Sequence, residues 1–382
     1  MHKRVLFYVQ HLLGIGHLKR VSIIVKQMSL KGLDVTVISG GNRVDSIDFG
    51  KASFIQLPSA KAKDSNFSTL IDENGNTIND IWKKNRRELV LNVFQKLEPH
   101  ILITEMFPFG RNQMKFELLP LLEEANNSNV TIISSIRDII VSDIKKTKVE
   151  QRNFLLTKYY KYILVHGEEK YYSIGKNLGL DKLNIKKIYY TGYVCNQKNN
   201  KNSLPRYKKE ILVSAGGGAV GKKIIVNAIK ASSLFFDQDF TWRILIGLNE
   251  NDQNKKEYSK LAHQTGKKII IEYFTENFNI LLSNCLVSIS QAGYNTFLEA
   301  ISCKVKSIFI PYAEDIKSDQ IIRARSFSSL NFIKYIDEKD LNPSKIKDSI
   351  IELMKQEDRE FNLPNFDGAE NTYKFINGLT NE

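Results

Sequence analysis

Apolar residues occur in short blocks of strand length, separated by longer stretches in which apolar and polar positions follow helical spacing. Residues 5–9 form the first block. A glycine-containing turn follows, then a helical pattern from about residue 18 to residue 30, which Gly32 ends. Residues 35–39 form a second block, closed by Gly40 and Gly41. Strand, loop, helix, strand is the building unit of a parallel sheet. Further strand candidates are residues 54–57, 101–105, 131–135 and 162–165, with helices over 81–97 and 112–124 between them. Pro99 and Pro108 are placed where helices stop.

Between Cys195 and Lys209 the chain turns Asn- and Lys-rich around Pro205, the composition of a linker. The pattern then restarts. Residues 210–214 read as a strand, followed by a glycine run and a helix over about 220–234, with strands at 243–247, 269–273, 286–290 and 307–311. A chain of 382 residues exceeds what one core usually supports. The expected fold class is therefore α/β, with two Rossmann-like, doubly wound parallel-sheet domains: 1–195 and 210–382, joined by a linker over 196–209. The last helix is a candidate to pack back on the first domain.

Composition narrows the class without naming a chemistry. At 42% hydrophobic and 25% charged residues the chain is ordinary for a folded soluble protein. No apolar run approaches the ~18–20 residues of a membrane span, and the start, Met1-His2-Lys3-Arg4-Val5, lacks the apolar region of a signal peptide. A cytoplasmic location is expected. Cys195, Cys285 and Cys303 are widely spaced and near no His cluster, which speaks against a zinc site or disulfides. Cys285 and Cys303 read as small core residues. The net charge of +13 comes without an aromatic-interleaved basic motif, so nucleic acid is not an expected partner, whereas peripheral contact with an anionic membrane is.

Four segments carry candidate chemistry. The first loop runs from His11 through Gly14 and Gly16 to His17. Its glycines allow close backbone approach to a ligand at a helix N-terminus, and His17 is a candidate general base. The second loop holds Gly216, Gly217 and Gly218, suited to cradling phosphate oxygens. It lacks the lysine and Ser/Thr of a P-loop, which disfavours P-loop ATP hydrolysis. The third, Gln291-Ala292-Gly293-Tyr294-Asn295-Thr296, leads from a strand into a helix, with Glu299 one turn further in. In the fourth, Pro311 ends a strand and Asp319 and Gln320 follow, polar groups at a sheet's carboxyl edge. Glu105, Arg111, Arg137 and Asp138 also follow strands, and Gly192 is a candidate hinge.

Together these segments resemble the GT-B glycosyltransferases, specifically the family 28, MurG-like group, and more closely a set of bacterial proteins described only as predicted glycosyltransferases. The resemblance is carried by Tyr8-Val9-Gln10-His11 to Gly16-His17, Phe107–Arg111, Ser135-Ile136-Arg137-Asp138 and Gln291–Thr296, and by Gly293-x-x-Thr296-x-x-Glu299 followed by Pro311 and Asp319-Gln320. It covers nearly the whole chain. It implies a GT-B fold with a cleft between the domains, and a nucleotide-sugar donor held by Gly216–Gly218 and Ala292–Thr296. Glu299 would take the ribose and Gln320 the sugar or ribose hydroxyls, with Gly14, Gly16 and His17 facing a saccharide or lipid-linked acceptor. One difference is that Ile15 separates Gly14 from Gly16, where the family has an extra adjacent glycine, so acceptor geometry is expected to differ. The expected activity is sugar transfer from a nucleoside-diphosphate donor, UDP-linked by analogy, inverting, without metal or cofactor. A nucleotide-sugar hydrolase or epimerase and a non-catalytic sugar-nucleotide-binding module are the alternatives.

Overall fold

The alternation of apolar blocks and amphipathic stretches becomes two parallel sheets flanked by helices in the computed structural model. It describes residues 3–12, 14–63, 69–141, 145–195, 209–215, 221–247, 250–273, 275, 277–312, 318–356 and 363–379. In chain order the first half contains β1 (Arg4–Val9), α1 (Gly16–Leu30), β2 (Asp34–Ser39), β3 (Ser53–Gln56), the hairpin β4 (Lys61–Ala62) and β5 (Leu70–Ile71), α2 (Asp80–Leu97), β6 (Ile101–Glu105), α3 (Lys115–Asn127), β7 (Thr131–Arg137), α4 (Lys146–Tyr159), β8 (Tyr162–His166), α5 (Ile174–Asn177), α6 (Lys182–Ile185) and β9 (Ile188–Tyr190). The second half contains β10 (Glu210–Ser214), α7 (Lys222–Ser232), β11 (Thr241–Ile246), α8 (Asp252–Gln264), β12 (Ile269–Tyr273), α9 (Phe278–Asn284), β13 (Val287–Ser290), α10 (Tyr294–Ser302), β14 (Ser307–Phe309), α11 (Asp319–Ser326), β15 (Ile333–Tyr335) and α12 (Pro343–Lys355). The last helix, α13 (Gly368–Gly378), returns to the first unit.

The first unit comprises Met1–Cys195 and Pro364–Glu382. Seven of its strands form one sheet in the order β3-β2-β1-β6-β7-β8-β9, parallel throughout. Both faces are covered, which is why β1 reads as a continuous apolar run. Leu6 and Tyr8 enter one core, and Val5, Phe7 and Val9 the other. Helix α13 joins that second core through Ile376. Its Phe375 ring lies 5.1 Å from Tyr162 and 4.7 Å from Tyr189. The ammonium of Lys3 donates to the carbonyls of Ile376 (3.2 Å) and Asn377 (2.6 Å) at its C-terminus, where a cation is favoured.

Gly368 fixes how closely α13 approaches. A Cβ there would lie 2.5 Å from the carbonyl oxygen of Gly192 and 2.6 Å from that of Tyr193. Gly368→Ala is expected to destabilise the first unit by about 1–3 kcal/mol and to raise amide exchange selectively in α13. Unchanged exchange in that helix would contradict the packing argument.

The second unit spans Asn196–Leu363, with strand order β12-β11-β10-β13-β14-β15, again parallel. One face packs Ile211, Val213, Val287 and Ile289 against α7 and α12 through Ile225, Ile346 and Ile350. Phe297 on α10 lies 4.3 Å from Phe309 at the end of β14 and meets Phe327, just after α11, edge-on at 5.1 Å.

Three expectations change. Pro108 stops no helix; it lies in the turn after β6, where strand geometry has already ended. Cys303 is the half-buried C-cap residue of α10, and only Cys285 is a core cysteine. Gly192 need not be a hinge to be glycine. Its φ of +85° and the Asn365 carbonyl, 2.8 Å from where a Cβ would sit, already require it. The linker over 196–208 and the loop of Gly216, Gly217 and Gly218 lie outside the described residues.

Candidate functional site

In an open doubly wound sheet, ligands collect outside the carboxyl ends of the strands where the strand order reverses. In the first unit that point lies between β1 and β6. Strand β1 delivers His11 and β6 delivers Glu105, while α1 begins with Ile15 as a cap that makes no side-chain hydrogen bond. Its first-turn N–H groups are therefore not bound by a cap side chain. A Cβ on Gly14 would meet nothing within 4 Å, so packing among the described residues does not demand glycine there. Gly16 opens the helix itself.

His17, in that first turn, places Nδ1 2.5 Å from Oε1 of the fully buried Glu105. Arg20, one turn on, donates through Nη2 to the same oxygen at 2.5 Å. Arg111 brings Nη2 to 3.7 Å from Oε2. Burial pushes the His17 imidazole down to about 4, against the upward pull of Glu105. Burial alone would raise Glu105, but His17 and the arginines hold it at about 2. At neutral pH the pair is thus a neutral imidazole and a carboxylate. Nδ1–H is donated to Glu105, and Nε2 is left as a proton acceptor.

His11 is also drawn in. Its side chain is 4% exposed and pressed against Gly41, where an added Cβ would lie 2.4 Å from the ring. Arg137 ends β7 and repels Arg111 electrostatically. Asp138, next in the chain, is buried and packs against Gly167 just after β8.

Sequence reasoning missed Arg20, although its spacing of three from His17 places both on one helix face. It also missed His166, buried between Ser135 Oγ (2.8 Å) and Thr191 Oγ1 (2.9 Å). Burial holds that ring near a pKa of about 3. The unfolded chain takes up a proton below about pH 6.5, so stability is full at neutral pH and is lost as pH falls from there toward 3. Between pH 7 and 5 this ring alone removes about 2 kcal/mol. His166→Asn is expected to flatten the pH dependence of the urea midpoint over that interval. An equally steep variant would exclude this source.

In the second unit the reversal lies between β10 and β13, whose last residues, Ser214 and Ser290, are register neighbours. Both hydroxyls are buried and have no hydrogen-bond partner among the described residues. The sequence reading passed over them as strand ends. Past Ser290, the half-buried Gln291 leads to Ala292, whose carbonyl accepts from Arg323 Nη1 at 2.9 Å. Arg323 is itself held by Asp319 Oδ2 at 3.1 Å and lies 5.5 Å over the Tyr294 ring. Asp319 thereby acts on the loop from behind. Gly293 caps α10 with φ −64° and no side-chain bond, and a Cβ there would meet nothing within 4 Å. The first-turn amides of Tyr294, Asn295 and Thr296 form an anion-favouring helix start, with Glu299 half-buried on the second turn.

Gln320 Oε1 accepts from the Tyr312 N–H at 3.1 Å. Gly221, which caps α7, is demanded by packing, since a Cβ would fall 2.1 Å from Ala215 Cβ. Among the described residues no group of three or more His, Cys, Asp or Glu side chains could hold a metal ion.

The family model for the glycosyltransferase family 28 C-terminal domain matches residues 211–376. The UDP-N-acetylglucosamine--N-acetylmuramyl-(pentapeptide) pyrophosphoryl-undecaprenol N-acetylglucosamine transferase of Geobacillus kaustophilus is 30% identical over 153 residues, 40% of this chain and 41% of that protein. The enzyme of the same name from Clostridium botulinum is 27% identical over 169 residues, 44% and 45% of the two chains. The match thus spans less than half the length of these relatives. Among solved structures, Acinetobacter baumannii MurG superposes with a TM-score of 0.62 at 12% identity, covering 99% of this chain and 100% of that one. The glycotransferase of kitacinnamycin gives 0.64 at 12% identity over 98% and 94%. Residues 211–376 are thus similar to the glycosyltransferase family 28 C-terminal domain, and the whole chain shares the fold of the solved MurG structure.

Proposed function

We propose that the chain transfers a sugar, an N-acetylhexosamine foremost, from a UDP-linked donor to a hydroxyl of a saccharide or lipid-linked acceptor. The observation that carries this is the α10 entrance of the family 28 domain. There an uncapped helix N-terminus, a glycine that packing does not require and two orphaned serine hydroxyls converge on one strand reversal. The names of the curated relatives support the UDP-N-acetylglucosamine donor and a pyrophosphoryl-lipid acceptor. The second unit then holds the donor and the first unit the acceptor.

In this scheme His17 Nε2 takes the acceptor hydroxyl proton as the oxygen attacks the anomeric carbon. The bond from that carbon to the diphosphate breaks, and UDP leaves with the electron pair. Helix-start amides and the glycine loop stabilise the growing charge without a metal or cofactor, and inversion at the anomeric carbon follows from a single displacement. No helix among the described residues is long and apolar enough to cross a membrane. The net charge of +13 suits attachment at an anionic surface on the cytoplasmic side.

A thermal-shift screen across UDP-, GDP-, dTDP- and CMP-sugars tests the donor, because a bound ligand raises the melting temperature by mass action. UDP-N-acetylglucosamine is expected to give the largest shift. Gly293→Ala should leave the apo stability within about 0.5 kcal/mol of wild type and weaken the donor at least about tenfold, a loss of about 1.4 kcal/mol. Unchanged affinity would remove the α10 entrance from the site. Release of free sugar without any acceptor would point to a hydrolase on the same fold.

A further inference from the structure

A strand at the edge of a sheet keeps a row of peptide groups with no neighbouring strand to bond. Strand β12 closes one side of the second sheet. At five residues it is longer than the other edge strands of the two large sheets, β3 with four and β9 and β15 with three each. It reads Ile269-Ile270-Ile271-Glu272-Tyr273, with no proline to guard it. The Trp242 N–H donates to the Lys268 carbonyl at 2.9 Å. Parallel pairing with β11 then turns the peptide groups of Lys268, Ile270 and Glu272 toward β11, and those of Ile269, Ile271 and Tyr273 outward. Ile269 and Ile271 pack on the core that α7 and α12 cover. Ile270 therefore lies on the opposite face, in line with Lys268 and Glu272. Lys268 is exposed. The Glu272 side chain is 37% exposed, with Arg243 holding one of its oxygens.

We propose that β12 pairs antiparallel with β12 of a second copy of this chain, about a two-fold axis through Ile270. Lys268 then faces Glu272 of the second copy, and Glu272 faces its Lys268, so opposite charges meet at two equivalent sites. Ile269 faces Ile271 across the axis. These are residues whose peptide groups point outward, so each such pair exchanges two backbone hydrogen bonds. Ile270 meets its own counterpart at the axis, as an isologous contact requires. Moving the axis to Ile271 would set Glu272 against Ile270 and lose both charge pairs. At the ends of the ribbon Lys267 faces Tyr273 of the second copy. Tyr273 is 52% exposed. Phe236, 80% exposed, stands at the Lys267 end, next to the Phe235 carbonyl that accepts from Lys267 Nζ at 2.6 Å. Exposed aromatic groups of the two copies are thus brought to the same end. Strands β11 and β10 separate β12 from β13, so the strand reversal of this sheet stays outside the ribbon. The pairing holds or fails whatever sugar the chain transfers.

The test follows the full-length protein by sedimentation velocity from about 1 to about 100 µM, the range in which a small interface associates. A dimer is expected to form as concentration rises. With it the Ile269 and Ile271 amides should exchange more slowly, while the Ile270 amide, already bonded to β11, keeps its rate. Lys268→Glu sets like charges against each other at both sites and should weaken the dimer at least about tenfold. Glu272→Lys should do the same. Mixing the two variants, each shown to be folded by circular dichroism, puts opposite charges back at both sites and should bring affinity to within about threefold of wild type. Where Glu272→Lys does not fold beside Arg243, Ile270→Lys, which sets two lysines at the axis, should weaken the dimer in the same direction as Lys268→Glu. A chain still monomeric at about 100 µM would mean that Lys267 and Lys268 merely guard the edge, and overturns the proposal. A dimer that neither Lys268→Glu nor Ile270→Lys weakens lies on another face and overturns it too, as does a mixture of folded charge variants that recovers nothing.

Discussion

Alanine at position 17 is expected to lower the rate of sugar transfer by about 10²–10⁴-fold, the usual contribution of a positioned general base, with donor affinity unchanged. The direction follows from the hydrogen-bond chain. Glu105 fixes Nδ1 as the protonated nitrogen, so Nε2 is the acceptor. The low value of about 4 on His17 sets the pH dependence. A base of ordinary histidine character would lose activity as pH falls through about 6.5. Here kcat/KM should hold from neutral pH to about pH 5 and fall only as the ring protonates near 4. An acid limb near pH 6.5, or a His17→Ala variant that retains wild-type turnover, would assign the base elsewhere. Glu105→Gln separates the roles, because an amide oxygen still accepts from Nδ1–H but no longer stabilises the imidazolium formed in transfer.

Much of the framework was legible because both sheets are buried on both faces. Strands β6, β10 and β12 have the bounds their apolar runs predict, and β1 and β2 differ by one residue. Segments without such a signature were missed. Helix α4 buries only Arg152, Leu155 and Leu156, so no apolar stripe marks it. Strand β15 has three residues. The site was legible as residue types at strand ends, since His11, His17, Glu105 and Arg111 all stood out. Sequence spacing does not encode that His17 and the unanticipated Arg20 meet on one carboxylate, which lies 88 and 85 residues from them along the chain. In the second unit the reverse holds. Asp319 and Gln320 looked like ligand contacts, yet each also makes an internal bond that shapes the loop.

Arg86 left no mark in the sequence, and its removal should have the largest effect on stability. It is fully buried on α2, and all five of its donors are used. Nε donates to Glu117 Oε2 at 2.8 Å and Nη2 to Glu117 Oε1 at 2.9 Å. Nη1 serves the carbonyls of Gly40 (3.0 Å) and Pro58 (2.7 Å), and Nη2 also reaches Gln10 Oε1 at 2.5 Å. Gln10 passes the constraint on, donating to the carbonyls of His11 and Ala60 at 2.9 Å each. Arg86→Ala strands the buried Glu117 carboxylate, for which breaking one partner of a buried pair typically costs about 3–5 kcal/mol. In a domain of this size that lowers the melting temperature by roughly 10 °C. The second substitution Glu117→Leu, added to Arg86→Ala, should recover part of the loss, because the unpaired charge is then gone. Equilibrium denaturation of the single and double variants measures the coupling. A single-variant loss under about 1 kcal/mol would mean that the network is hydrated in solution and does not seat His11.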